Sequence, residues 1–168
     1  MRFFSLLIGV ALAGWGLALN AAGPDPVSKN GPCPVGFRSN GDYCVPTDST
    51  PPSTKVVPKI GACPIGYRSD GNYCVSSRSS PPAGAGVPKA GQCPVGYRSD
   101  GKYCISSGTG PPPSKAIIKN GPCPVGYRVD GRYCVSRSAT YPPGNAVPRN
   151  GQCPFGYRVD GKYCVSGK

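Results

Sequence analysis

The sequence predicts a small disulfide-rich all-β protein: five tandem 30-residue repeats, each a disulfide-closed β-hairpin, joined by Pro/Ser/Gly-rich spacers, with no helix in the mature chain. Three observations predict it. Cys33, Cys63, Cys93, Cys123 and Cys153 step by thirty residues, and Cys44, Cys74, Cys104, Cys134 and Cys164 keep the same step. A fixed period of this length is the signature of a repeat architecture. Between the cysteines of each pair lies an Asp-Gly or Asn-Gly dipeptide flanked by Tyr, Arg and Val, a hairpin signal. The 25 glycines and 22 prolines interrupt every window long enough for a helix.

Residues 1–22 are set apart by composition. Arg2 supplies a positive start, Phe3 to Leu19 is an apolar run, and Asn20-Ala21-Ala22-Gly23 are small residues suited to cleavage. The segment reads as a secretory signal peptide; the alternative is an uncleaved anchor, because the run approaches the ~20 residues that span a bilayer. No second apolar stretch follows, so no membrane span is expected after cleavage. All ten cysteines lie beyond the leader, and an even count in an exported chain implies disulfides. The expected location is secreted or cell-surface, periplasmic in a bacterium.

The repeats occupy 27–46, 57–76, 87–106, 117–136 and 147–166. Each follows the pattern K-x-G-x-C-P-[VIF]-G-[YF]-R-x-[DN]-G-x-Y-C-[VI], led by Lys29, Lys59, Lys89, Lys119 or Arg149. The spacers 47–56, 77–86, 107–116 and 137–146 each carry a proline pair or triplet and no hydrophobic periodicity, so they should be extended or disordered. Rich in Ser, Thr and Pro, they are also plausible O-glycosylation stalks; no N-x-[ST] sequon occurs.

Taking Asp70-Gly71 as a two-residue type I′ turn sets a register. Ser69 then opposes Asn72, Arg68 opposes Tyr73, Tyr67 opposes Cys74 and Gly66 opposes Val75. One face carries Tyr67, Ser69 and Cys74, the other Arg68, Tyr73 and Val75. Tyr67 should cover the disulfide, and Arg68 should lie on the Tyr73 ring, a cation–π pair worth ~0.5–1 kcal/mol when exposed. Ten cysteines allow many connectivities. Pairing within each repeat (33–44, 63–74, 93–104, 123–134, 153–164) is the economical one, because the unit recurs whole. One such hairpin buries too little apolar surface to order itself fully. Either the disulfide holds a loosely ordered loop, or neighbouring units pack.

The stretch "CPVGYRSDGKYC", residues 93–104, resembles the N-terminal disulfide hairpin of long-form C-type lectin-like domains. The matching positions are Cys93, Pro94, Gly96, Tyr97 and Cys104. The resemblance covers about twelve residues per repeat and implies the hairpin geometry alone. The long second region, the calcium-binding cluster and the further cysteines of that domain have no counterpart here, so neither sugar nor calcium binding carries over.

Function is bounded mainly by exclusion. The chain has no histidine and no glutamate, and its seven acids are aspartates, mostly at turn positions. Oxidised cysteines without C-x-x-C spacing favour neither zinc nor thiol chemistry. The expectation is no enzyme, no catalytic residue, no metal and no cofactor. Net charge is +12, which attracts anions through the summed field. The leading expectation is a multivalent module binding an anionic polysaccharide or cell-surface glycan, with nucleic acid as a partner through charge alone. The candidate contacts are Arg38, Arg68, Arg98, Arg128 and Arg158, whose forks suit sulfate or carboxylate, and Tyr43, Tyr73, Tyr103, Tyr133 and Tyr163, whose rings suit sugar. The competing expectations are a structural matrix, coat or stalk protein, and a cationic antimicrobial or toxin-like array.

Overall fold

The computed structural model describes residues 24–77, 85–107, 115–137 and 145–166. The leader and the central parts of three spacers lie outside them. Among the described residues there is no helix, and fifteen short strands form five three-stranded antiparallel sheets. The first sheet, or blade, holds β1 (Val27–Ser28), β2 (Phe37–Asn40) and β3 (Tyr43–Pro46). The second holds β4 (Val56–Pro58), β5 (Tyr67–Asp70) and β6 (Tyr73–Ser76). The third holds β7 (Gly86–Pro88), β8 (Tyr97–Asp100) and β9 (Tyr103–Ser106). The fourth holds β10 (Ala116–Ile118), β11 (Tyr127–Asp130) and β12 (Tyr133–Ser136). The fifth holds β13 (Ala146–Pro148), β14 (Tyr157–Asp160) and β15 (Tyr163–Ser166).

In every blade the third strand in sequence lies in the middle. The first strand of each blade was not foreseen; in blades 2–5 it takes in the last residue of the preceding spacer. It is short, and in three blades it ends in proline, which removes a donor and suits an edge position. These first strands touch one another in the order β1, β4, β7, β10, β13, and β13 touches β1. The five blades therefore close into a ring with the first strands around its axis.

The five disulfides close within their repeats, as the spacing suggested, each with Cα atoms 5.5 Å apart. The hairpin register differs from the expected one. Asp70 pairs with Tyr73, Ser69 with Cys74, Arg68 with Val75 and Tyr67 with Ser76. The turn residues are thus Gly71-Asn72, not Asp70-Gly71. Gly71 has φ +55°, and among the described residues none other than glycine has positive φ. Positive φ at the first turn position alone fits a type II′ turn, which wants glycine there, rather than type I′. Because each residue's partner moves by two places, the side chains keep their faces, but the contacts change. Arg68 opposes Val75 rather than the Tyr73 ring, whereas Tyr67, now opposite Ser76, still packs in the cluster that holds Cys63 and Cys74.

The core explains why the blades close up. No apolar cluster lies within one blade. Val27, Phe37 and Cys44 of blade 1 pack with Tyr73 and Val75 of blade 2. Val57 and Cys74 pack with Tyr103 and Ile105, and Val87 and Cys104 with Tyr133 and Val135. Ile117 and Cys134 meet Tyr163 and Val165. The fifth cluster joins Val147 and Cys164 of blade 5 to Tyr43 and Val45 of blade 1. Each blade buries one face against each neighbour, which resolves the choice between loose hairpins and packed ones.

Candidate functional site

The tyrosines expected to meet ligand do not reach solvent. Tyr43, Tyr73, Tyr103, Tyr133 and Tyr163 are each 0% exposed. Their hydroxyls are committed to the preceding blade. Tyr73 Oη accepts from Asn30 N at 2.6 Å, donates to Ser28 O at 3.3 Å and lies 3.5 Å from Cys44 Sγ. Tyr103 does the same with Ile60 N, Pro58 O and Cys74 Sγ, and Tyr133 and Tyr163 repeat it. Tyr43 closes the ring, accepting from Asn150 N at 2.7 Å and donating to Pro148 O at 3.0 Å. These side chains are pins between blades, not a platform for sugar.

Two further ties cross the interfaces. The carboxylates of Asp70, Asp100, Asp130 and Asp160 accept from the backbone N–H of Val35, Ile65, Val95 and Val125 in the preceding blade, at 2.8–3.0 Å. The register explains this use. With Asp70 as the last residue of its strand, its carboxylate is available to the neighbour rather than to its own turn. The aromatic residues that start the outer strands reach the other way. Tyr67 accepts from Gly86 N–H, and Tyr97 from Ala116 N at 3.2 Å. Tyr157 would meet Pro26, which has no N–H, and it bonds the Asn145 side chain instead. In blade 1 this position is Phe37, packed with Val56.

The arginines stand where a ligand can reach them. Arg38, Arg68, Arg98, Arg128 and Arg158 are exposed on the outer strands, around the rim. A second basic set lies at one end of the ring. Lys29 N donates to Asp42 O, so the residue after each inner strand stands beside a hairpin turn. Lys29, Lys59, Lys89, Lys119 and Arg149 are exposed there, together with the turn residues Lys102, Arg132 and Lys162. The turn side chains cover glycines of the preceding blade: Lys102 Cγ lies 3.7 Å from the space a Gly61 side chain would fill, and Arg132 Cδ lies 3.2 Å from that of Gly91. Lys29, Lys59 and Lys89 donate to Ser39, Ser69 and Ser99 at 2.8–2.9 Å, which fixes their ammonium groups over the blade. The end also carries five aspartates, four of them the interface carboxylates described above.

The apolar residue that follows each Cys-Pro pair was visible in the sequence, but its exposure was not. Val35, Ile65, Val95, Val125 and Phe155 are 72–95% exposed. Each blade thus presents an exposed apolar side chain after its proline, an arginine on its outer strand and, at the turn end, one basic residue in blades 1 and 2 and two in blades 3–5. The signal was an apolar residue at a fixed loop position in every repeat.

At the other end of the ring the axis opens into a pocket. It is lined by residues from all five blades, including Asp25, Lys55, Ala85, Lys115 and Asn145, which stand thirty residues apart. Lys115 forms an ion pair with Asp25. Burial lowers the pKa of Lys55. Burial likewise raises the phenol of Tyr97 to about 12, and raises Tyr67, Tyr127 and Tyr157 further, with the Asp25 charge adding to the last two.

Comparison with known protein families, curated proteins and solved structures finds no match.

Proposed function

We propose that this ring is an exported, non-enzymatic binding module for an anionic polysaccharide. The observation that supports this most directly is the basic array: one exposed arginine per blade around the rim and one exposed basic residue per blade at the turn end, with Lys102, Arg132 and Lys162 added there in three blades. Sulfate and carboxylate groups along a polymer chain meet several of these in turn. Arginine offers them a planar fork, and lysine a point charge. The exposed apolar side chain three residues before each arginine adds a surface for the nonpolar faces of sugar rings. Five disulfides suit an oxidising compartment.

The ring changes how valency acts. Five hairpins on flexible linkers would gain affinity through effective concentration alone. Here the sites are fixed relative to one another, so less ordering is needed on binding. The test is titration of the oxidised chain with sulfated, carboxylated and neutral polysaccharides at two salt concentrations. Binding to the charged polymers should weaken with salt, and the double variant Lys59→Ala/Lys119→Ala should weaken it further. Equal, salt-independent binding to all three polymers would leave the surface-binding proposal without support.

A further inference from the structure

We propose that the axial pocket is a second binding site, separate from the basic end, and that it takes one small hydroxylated carboxylate of the sugar-acid class. Its position makes it unlike any other place in the ring. The residues that build the blades hardly vary from repeat to repeat: the cysteines, the buried tyrosine after the turn and the turn glycine are the same in all five. The five residues that meet at the axis are Asp, Lys, Ala, Lys and Asn. Equivalent backbone positions thus bring an unlike set of groups to one point. Only an asymmetric ligand makes use of that.

The pocket is held in shape. Lys55, Ala85 and Lys115 each donate their backbone N–H to Ser76, Ser106 or Ser136 Oγ, at 2.7–2.9 Å. The backbone N–H groups of the same serines return to the carbonyls of those three residues. The cavity measures about 320 Å³, at the lower end of the range for small-molecule sites, ~300–1,000 Å³, and suited to a single sugar ring. Ala85 leaves room on one side, and Tyr97 forms part of the wall.

The groups also specify charge. Two lysines and one aspartate line the pocket, so the site as a whole is cationic. Beyond their ion pair, Lys115 Nζ and Asp25 Oδ1 are buried with no hydrogen-bond partner among the described residues. An ammonium has three donors and a carboxylate oxygen accepts, so the pair has both kinds of capacity to spare. A ligand carboxylate at Lys115 would take up its donors, with the Lys55 charge lining the same pocket. A ligand hydroxyl would fill Asp25 Oδ1, and the amide of Asn145 can serve either role. A bare inorganic anion would use the lysines and leave the aspartate oxygen without a partner, or repel it.

The experiment is calorimetric titration of the full oxidised chain with glucuronate, glucose and inorganic phosphate. Glucuronate should bind with one site per ring, at least tenfold tighter than glucose and tighter than phosphate. Ala85→Leu, which fills the cavity, and Lys55→Met, which removes a cation, should each weaken it at least tenfold. Lys59→Ala/Lys119→Ala, at the opposite end, should leave it unchanged while weakening polysaccharide binding, so the two sites fail separately. Near-UV dichroism of the tyrosines reports whether a variant still folds, and Lys55→Met carries the test if Ala85→Leu does not. Absence of saturable glucuronate binding, a preference for phosphate or glucose, or undiminished binding in a folded pocket variant would overturn the proposal.

Discussion

Replacing Tyr43 by phenylalanine tests ring closure in a way no other single change does. The hydroxyl accepts from Asn150 N at 2.7 Å and donates to Pro148 O at 3.0 Å, residues more than a hundred positions away. Tyr103 makes the equivalent bonds with Ile60 N at 2.9 Å and Pro58 O at 3.1 Å, inside an interface between consecutive blades. Both rings are fully buried. Removing either hydroxyl strands one N–H and one carbonyl, and a stranded buried group costs roughly 1–3 kcal/mol. Tyr43→Phe and Tyr103→Phe should therefore lose similar stability, about 1–3 kcal/mol each. Guanidinium unfolding of the oxidised proteins measures it, with the slope m checked for constancy. In an open chain of blades Tyr43 would face water, and its loss would fall within about 0.5 kcal/mol of zero, as for an ordinary surface change. A normal cost for Tyr103→Phe beside a negligible one for Tyr43→Phe would refute closure.

Other outcomes follow from the same geometry. Gly101→Val should lose about 1–3 kcal/mol through backbone strain alone, since φ is +55° and nothing lies within 4 Å of the added carbon; Lys102→Val, beside it at ordinary φ, should lose far less, and equal losses would reject the assigned turn. Stability should fall as pH rises above about 10, the unfolded tyrosine value, because Tyr97 stays neutral in the ring up to about 12 and Tyr67, Tyr127 and Tyr157 shift in the same direction. The sign is that of an acid whose folded pKa is raised: its stabilisation is complete below pH 10 and is lost as the unfolded phenols ionise. An unfolding midpoint at pH 11 equal to that at pH 8 would contradict the buried-phenol assignment. The second cysteine of each pair is 0% exposed at a blade interface, so mild reductant should act no faster than the ring opens; reduction at the same rate in native and denatured protein would show the bridges to be accessible.

The repeat, the strand–turn–strand order and the disulfide pairing were legible because they are local and recur thirty residues apart. The ring was not, because its defining bonds run between repeats. A tyrosine after a turn reads as a cross-strand partner for arginine; its hydroxyl's bond to the blade before has no local sequence signature. The inner strands went unseen at the start of each repeat because two or three residues, one of them often proline, carry no strand period. The turn was misplaced by one residue because Asp-Gly suits one turn type as a pair, whereas here glycine alone bends the chain and Asp70 serves its neighbour. The arginines are exposed, whereas the tyrosines grouped with them are interior.

The two faces of each blade are unlike: one offers the tyrosine that starts its middle strand, and the other receives the tyrosine of the next blade. Such a contact is head-to-tail, so identical units joined by it form either a closed cycle or an endless chain. The angle between blades selects a cycle of five, and five has no divisor but one and itself. A polypeptide of a single blade satisfies every contact by assembling as a cyclic pentamer. No whole number of two-, three- or four-blade polypeptides makes up one turn without a blade over or a gap left, so identical truncated copies retain an unpaired face. Carrying all five blades on one polypeptide removes that arithmetic, and it also lets the axis hold five different residues where a pentamer of identical chains would hold one residue five times.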